Sequence, residues 1–270
     1  MMITNLFSLW HKTAIVTGAL GLLGKQHCYA LSEAGAQVVA ADLDEEKCRE
    51  FARSLPTPAM GVYLDVTDPQ TVSRMRDQVL ERFKQVDVLV NNAAINDMFE
   101  SPKAALDQSK FENYPLELWK KSLDVNLSGV FLCSQVIGAG MAEQKSGSII
   151  NIASTYGMVG PDQSLYQNRQ GQQVFYKPPA YPATKGAVLA FTRYLAAYWG
   201  HKGVRVNALS PGGVKNHQDE FFQESYARKT PLGRMAAPTD YIGAIVFLAS
   251  DASAYMTGAN LIVDGGWTAC

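Results

Sequence analysis

The run Thr13-Ala-Ile-Val-Thr17-Gly18-Ala-Leu-Gly21-Leu-Leu-Gly24 decides how the rest of the chain is read. Its first five residues are short, mostly apolar and rich in β-branched side chains, which predicts a buried strand. A glycine turn follows, and then a helical pattern from about Leu22 to Ala34, closed by Gly35. Strand, glycine turn and helix in that order make a cradle for a dinucleotide. Gly18 permits the sharp turn, Gly21 lets backbone approach a pyrophosphate, and Gly24 allows close helix–strand packing. The start of the helix offers free N–H groups and a positive dipole end, so Leu20, Leu22 and Leu23 border the same cofactor. The spacing is GxxGxxG rather than the more usual GxGxxG.

Outward from this run the chain alternates. Strands are predicted over Gln37–Asp42, Met60–Asp65 and Val86–Asn91, with helices over Asp44–Leu55 and from Asp68 to about Phe83. Asp68 is a candidate N-cap, with Pro69 at the first helical position. Asn96 to Leu118 is less regular and carries many charges, as expected of a segment that covers a rim. Trp119–Glu143 reads as one long helix or two in succession. A strand over Gly147–Ala153, a helix from Gly186, a strand over Gly203–Leu209, a helix over Pro238–Ala249 and a last strand over Asn260–Asp264 complete the pattern. Strict strand–helix alternation with continuously apolar strands predicts a doubly wound parallel α/β sheet with helices on both faces. No linker or repeat interrupts it, so residues 1–270 are read as one domain.

Composition bounds the function. The chain of 270 residues is 47% apolar and 18% charged, with a net charge of −1. No global field recruits nucleic acid or an anionic membrane, and no apolar run is expected to approach membrane-spanning length. Cys28, Cys48, Cys133 and Cys270 form no CxxC or metal-like cluster, which suits buried free thiols in a reducing compartment. Met1 to Lys12 does not read as a signal peptide, so a cytoplasmic location is expected. His11, His27, His201 and His217 show no metal-ligand spacing, and no metal is expected.

Two further places carry chemistry. Asp42 ends the second strand 24 residues after Gly18, where a carboxylate accepts hydrogen bonds from the adenosine ribose and repels a 2′-phosphate. Leu43 follows it, and no Arg or Lys stands in residues 18 to 24, so NAD is expected over NADP. Asp65 could bond the adenine amino group. Asn91-Asn92-Ala93-Ala94 falls at the end of the fourth strand, where small residues let a cofactor pass closely. Tyr181 and Lys185 stand four apart, on one helix face. A Lys ammonium near a phenol favours the phenolate and so predicts a lowered Tyr pKa.

Thr17-Gly18 to Gly24, Asp65-Val66, Asn91 to Ala94, Asn126, Ser154, Tyr181-xxx-Lys185, Ser210-Pro211-Gly212 and the ending Val263-Asp-Gly-Gly266 occur in the order of the short-chain dehydrogenase/reductase family. The chain resembles its shorter branch over nearly its whole length. The resemblance implies a Rossmann-type sheet of seven parallel strands, a nicotinamide cofactor, and a homotetramer, with a dimer second. It implies Tyr181 as general acid/base on the substrate oxygen, with Lys185 lowering its pKa and holding the nicotinamide ribose. It implies Ser154 as hydrogen-bond partner of the same oxygen and Asn126 as holder of a water that links Lys185 to solvent. Val66 and the Pro211, Gly212, Gly213 and Val214 turn then belong to the cofactor site.

Three departures stand out. The glycine spacing resembles the family's longer branch of sugar-nucleotide epimerases and dehydratases. The gap from Ser154 to Tyr181 is 27 residues. Asn216 stands where a Thr often follows the Pro-Gly turn. The long gap contains an insert, 161–180, rich in Gln and Asn, which offer both donors and acceptors to a polyhydroxylated ligand. Arg169 and Lys177 are candidates to meet a phosphate or carboxylate, with Tyr156 and His217 as further substrate residues; His217 opens a polar helix within a substrate loop at about 213–235. Ser154-Thr-Tyr-Gly157 and the long insert also resemble a subgroup found with flagellin-modification and nonulosonate genes, which implies a sugar-derived substrate. An epimerase or dehydratase with tightly held NAD, and a non-catalytic NAD-binding regulator, stay open as alternatives.

Overall fold

A computed structural model describes residues 3–96 and 102–269. Residues 97–101, inside the segment expected to cover a rim, lie outside the described residues, as do Met1, Met2 and Cys270. Seven strands, β1 (Thr13–Thr17), β2 (Gln37–Asp42), β3 (Ala59–Tyr63), β4 (Val88–Asn91), β5 (Gly147–Ile152), β6 (Val204–Pro211) and β7 (Asn260–Val263), form one parallel sheet in the order β3-β2-β1-β4-β5-β6-β7. The order reverses direction between β1 and β4, which opens a crevice at their carboxyl ends, where open α/β sheets bind ligands. Register aligns those ends: Thr17 pairs with Ala41, Asn91 with Asn151, and Ile152 with Leu209.

Each face of the sheet is covered by its own core. On one side Val72, Met75 and Val79 of the helix Pro69–Phe83 pack with Cys133, Ile137 and Met141 of Gly129–Gln144, and with Leu195 and Trp199 of Ala180–Trp199. On the other, Cys28 and Leu31 of Leu22–Glu33 pack with Ile245 and Leu248 of Ile242–Ala249. With helices covering both faces of the sheet, β1 is buried at every position, and the hydroxyls of its two threonines, Thr13 and Thr17, are hydrogen-bonded within the fold. Asp68 caps the helix Pro69–Phe83 by accepting from Gln70 N at 2.8 Å.

Several expectations are corrected. β3 stops at Tyr63, so Asp65 lies beyond the strand, where its Oδ1 accepts from Thr67 N at 2.9 Å and from the Thr67 hydroxyl at 2.7 Å. β6 runs on through Pro211, because Ser210 and Pro211 still pair with Ile262 and Val263. The expected helix over Trp119–Glu143 is longer and interrupted: Leu116–Leu123, a π-helical turn Asp124–Ser128, then Gly129–Gln144. By length and composition this run could cross a membrane, contrary to expectation, yet half of its apolar window is buried inside the fold.

His27 is fully buried on the helix Leu22–Glu33, and neither ring nitrogen has a hydrogen-bond partner. Burial drives its pKa down from 6.5 to about 4. The unfolded chain therefore binds a proton near pH 6.5 that the folded one refuses until about 4. The associated stability is fully present above 6.5 and is lost as pH falls toward 4. Lowering pH from 7.5 to 5 is expected to cost about 2 kcal/mol through this group alone. In His27→Leu, urea unfolding should lose that share of the acid sensitivity; an unchanged pH dependence would contradict the assignment.

Candidate active site

The carboxyl ends of the strands border a cleft of about 1290 Å³. At the cofactor end, Gly18 adopts φ +63°, and a Cβ there would meet Ala93 Cα at 2.8 Å. The turn and the β4 end are stitched together. Asn92 Nδ2 donates to the carbonyls of Thr17 (3.0 Å) and Gly18 (2.9 Å), while the Thr17 hydroxyl accepts from the backbone N–H groups of Asn92 and Ala93. Gly24 does not line the cleft; a Cβ there would lie 2.1 Å from Gly18 O, so it serves the packing of helix on turn. Gly21 is the N-cap of Leu22–Glu33 and supplies no side-chain cap. The first N–H groups of that helix are thus left to a ligand, as a pyrophosphate requires.

The remaining cofactor candidates border the cleft. Asp42, Leu43, Asp65, Val66, Asn92, Ala93, Ala94 and Pro211 to Val214 all line the cleft with Leu20, Leu22 and Leu23. Both Asp42 oxygens are oriented by backbone: Oδ2 accepts from Leu20 N at 2.9 Å and Oδ1 from Leu43 N at 2.8 Å. Each carboxylate oxygen retains further acceptor capacity, which suits a ribose diol. These residues fit a nicotinamide dinucleotide.

Tyr181 and Lys185 lie in the first turns of Ala180–Trp199. Ser154 ends the loop after β5, where it caps the turn Thr155–Gly157 by accepting from Tyr156 N at 3.2 Å. A Cβ on Gly157 would meet the Lys185 carbonyl carbon at 2.7 Å, so only glycine lets this turn close on the helix. The closure brings the Ser154 hydroxyl beside Tyr181, where it favours the phenolate. Lys185 is buried, donates from Nζ to Ile152 O at 2.7 Å, and stands 5.7 Å from the Tyr181 ring centroid. The expected lowering of the Tyr181 pKa is not what the protein alone produces. Desolvation pushes it up, opposed by Ser154. Desolvation also draws Lys185 down to about 8. Burial acts against the charged form of both groups.

Asn126 sits in the π-helical turn, fully buried. Its Oδ1 accepts from Ile95 N at 2.8 Å and its Nδ2 donates to Ile95 O at 3.0 Å. The amide therefore pins the backbone of the cleft wall just after Ala94. Such π-turns recur at functional sites because they re-aim one side chain without ending the helix.

The substrate candidates divide. Tyr156 and Lys177 line the cleft, whereas Arg169 and His217 do not. His217 is exposed. Arg169 faces Glu224 at 3.9 Å and stacks over Phe221. Together with the Lys229–Asp162 ion pair, it laces the insert to the helix Glu220–Lys229. Gln163, Asn168 and Gln173 of the insert are likewise bonded to its own backbone. Gln163 accepts from Lys177 N at 2.8 Å, Gln173 donates to Gln163 O and Phe175 O, and Asn168 accepts from Gln170 N and Gln172 N. A loop of this length without regular structure needs side chains to satisfy its backbone.

Sequence reasoning passed over Tyr166, Phe222, Tyr226 and Met235, which form the aromatic and apolar wall at this end. Phe222 and Tyr226 stand at i, i+4 on Glu220–Lys229, a spacing that could have shown a shared face. The Tyr226 hydroxyl accepts from Gly213 N at 2.6 Å, and its ring fills the space a Cβ on Gly213 would need. This helix is thereby tied to the cofactor turn.

Comparison with known proteins agrees with this geometry. A family described as enoyl-(acyl carrier protein) reductase matches residues 18–268. A 3-alpha-(or 20-beta)-hydroxysteroid dehydrogenase of Mycobacterium bovis is 37% identical over 96% of this chain and 90% of its own. A D-threitol dehydrogenase of Mycolicibacterium smegmatis is 35% identical over 97% and 95%. The crystal structure of a gluconate 5-dehydrogenase from Burkholderia cenocepacia, in complex with NADP and tartrate, superposes with a TM-score of 0.85 at 29% identity, covering all of both chains.

Proposed function

From the premise that this chain belongs to the short-chain dehydrogenase/reductase family, we propose that it is an NAD-dependent oxidoreductase. It interconverts a secondary alcohol and a ketone on a polar, sugar-derived substrate. The observation that carries the chemistry is that Ser154 and Tyr181 line one cleft together with buried Lys185, which stands 5.7 Å from the Tyr181 ring centroid. Two hydroxyls converging on one point hold an oxygen of the substrate, not a carbon–carbon double bond. Tyr181 exchanges the proton with that oxygen as general acid or base. Ser154 donates to the same oxygen and stabilises charge as it develops there. Lys185 supports the phenolate, and its ammonium is the group that would meet the nicotinamide ribose. Asn126 acts through Ile95, by fixing the cleft wall, in addition to any water it holds.

The Gly18–Gly24 turn would hold the pyrophosphate, Asp42 the adenosine ribose, Asp65 the adenine, and Gly212 to Val214 the nicotinamide end. When bound, the cofactor supplies the hydride acceptor or donor, which the protein only positions. A sugar-derived substrate is supported by the polar groups at the cleft, Lys177, Asn96 and Gln218, and by relatives named for threitol and gluconate. An outward aromatic face, Phe131, Tyr194 and Tyr198, with Tyr194 stacked on Tyr198, supports assembly as a homotetramer, with a dimer second; light scattering decides between them.

The reading is tested by following nicotinamide absorbance with NAD and a panel of alditols, sugar acids, sugar phosphates and amino sugars. Net NADH formation with at least one of them is the expected result. Protein that carries NAD through purification and converts a sugar nucleotide with no net NADH would be an epimerase or dehydratase instead.

A further inference from the structure

The insert brings one positive charge against the catalytic phenol. The Lys177 backbone is held on both sides by the Gln163 amide, which accepts from its N–H at 2.8 Å and donates to its carbonyl at 3.3 Å. Its Nζ donates to Asn96 Oδ1 at 2.8 Å. The ammonium then stands 4.4 Å from the centroid of the Tyr181 ring, closer than Lys185 at 5.7 Å. The two ammonium groups differ in what they serve. Lys185 is buried and turned to the Ile152 carbonyl, whereas Lys177 is half-buried and lines the cleft from the insert.

The surroundings of Lys177 favour an anion. Tyr156, Tyr166 and Tyr226 are all held neutral by burial, which raises their pKa values. Phe222 and Met235 complete a wall of low polarity. Asp162, the carboxylate closest to Tyr156 and Tyr166 in influence, is bound by Lys229 and by the Ser164 hydroxyl at 2.7 Å. An ammonium in a partly desolvated cleft attracts an oxyanion more strongly than one in open water. As a compact charge with three donors, it can bind an oxyanion while keeping other partners.

We infer that the substrate carries an oxyanion, a carboxylate or a phosphate, within a few bonds of the carbon that is oxidised, and that Lys177 takes it. The inference rests on the oxidoreductase reading and deepens it. Lys177 is then a specificity-determining residue, delivered by an insert in which Gln163 holds its backbone. Arg169, the other cation expected to read an anion, is spent on the helix Glu220–Lys229.

The test compares matched substrates: an alditol, the aldonate of the same length, and the corresponding alditol phosphate, each with NAD. The native protein, Lys177→Met and Lys177→Arg are assayed, and NAD binding is measured by titration to confirm an intact cofactor site. The expected result is a kcat/KM at least about tenfold higher for an anionic member than for its neutral partner. In Lys177→Met that ratio should collapse toward one, mainly through KM, and Lys177→Arg should restore part of it. The arm that shows the preference identifies carboxylate or phosphate. Preference for the neutral alditol, or an anionic preference that survives in Lys177→Met, would overturn the inference while leaving the oxidoreductase reading in place. Absence of NADH from every substrate would overturn both.

Discussion

Tyr181→Phe is expected to lower kcat by about 10³-fold or more, while the dissociation constant for NAD stays within about twofold. The phenol is the group at the convergence point that can both give and take a proton, and phenylalanine removes that proton without emptying the space. The loss corresponds to about 4 kcal/mol of barrier. NAD binding should survive because the Gly18 turn, Asp42 and the Gly212–Val214 turn are built on β1, β2 and β6, and their contacts do not include the Tyr181 hydroxyl. Ser154→Ala should cost less, about 10²-fold, since it removes a donor but not the proton carrier. The pH profile adds a check that a structural role would not move. Burial holds Tyr181 protonated at neutral pH and draws Lys185 down to about 8. Alcohol oxidation needs a base, so its rate should rise with pH as the coupled pair gives up a proton, and Tyr181→Phe should abolish that limb. Near-normal turnover in Tyr181→Phe would refute the assignment of the acid/base.

How much of this was legible in the sequence depends on the physics of each part. The sheet was, because buried parallel strands announce themselves as apolar runs: β2 falls on Gln37–Asp42 as expected. The start of the helix Pro69–Phe83 was legible too, since Asp68 and Pro69 are local start signals. The convergence of Ser154 on Tyr181 across 27 residues was not legible from spacing. It depends on Gly157 closing against the Lys185 backbone, a tertiary contact. The insert was misread for a related reason. Gln and Asn side chains satisfy ligand and backbone equally well, and only the fold shows that Gln163 and Gln173 chose backbone. Arg169 was placed at the substrate by its position between two catalytic residues, yet Glu224 lies 55 residues away in a different element and captures it. The direction of the Tyr181 pKa was missed because a sequence shows neighbours but not desolvation.

The cofactor preference carries the other large effect. Asp42 lines the cleft, where the proposed reading sets its carboxylate against the ribose hydroxyls, and the cations that line the cleft are Lys120, Lys121, Lys177 and Lys185, with no arginine among the described lining residues. Bringing a phosphate dianion against Asp42 costs several kcal/mol by like-charge repulsion. At about 3 kcal/mol, kcat/KM with NAD should exceed that with NADP by about 10²-fold. A relative at 29% identity is crystallised with NADP, so a preference of this chain for NAD has to reside in residues such as these. The two backbone bonds to Asp42 decide which variant tests it. An amide at this position can accept only one of the N–H groups of Leu20 and Leu43 and would turn its own NH₂ toward the other. Asp42→Asn should therefore weaken both cofactors by disturbing the glycine turn. Asp42→Ser with Leu43→Arg removes the repulsion and adds a fork for the phosphate on an exposed side chain. That pair is expected to move the NAD-to-NADP ratio of kcat/KM by about 10²-fold or more toward NADP. A native protein that already favours NADP, or a ratio that does not move in the double variant, would show that Asp42 only shapes the turn.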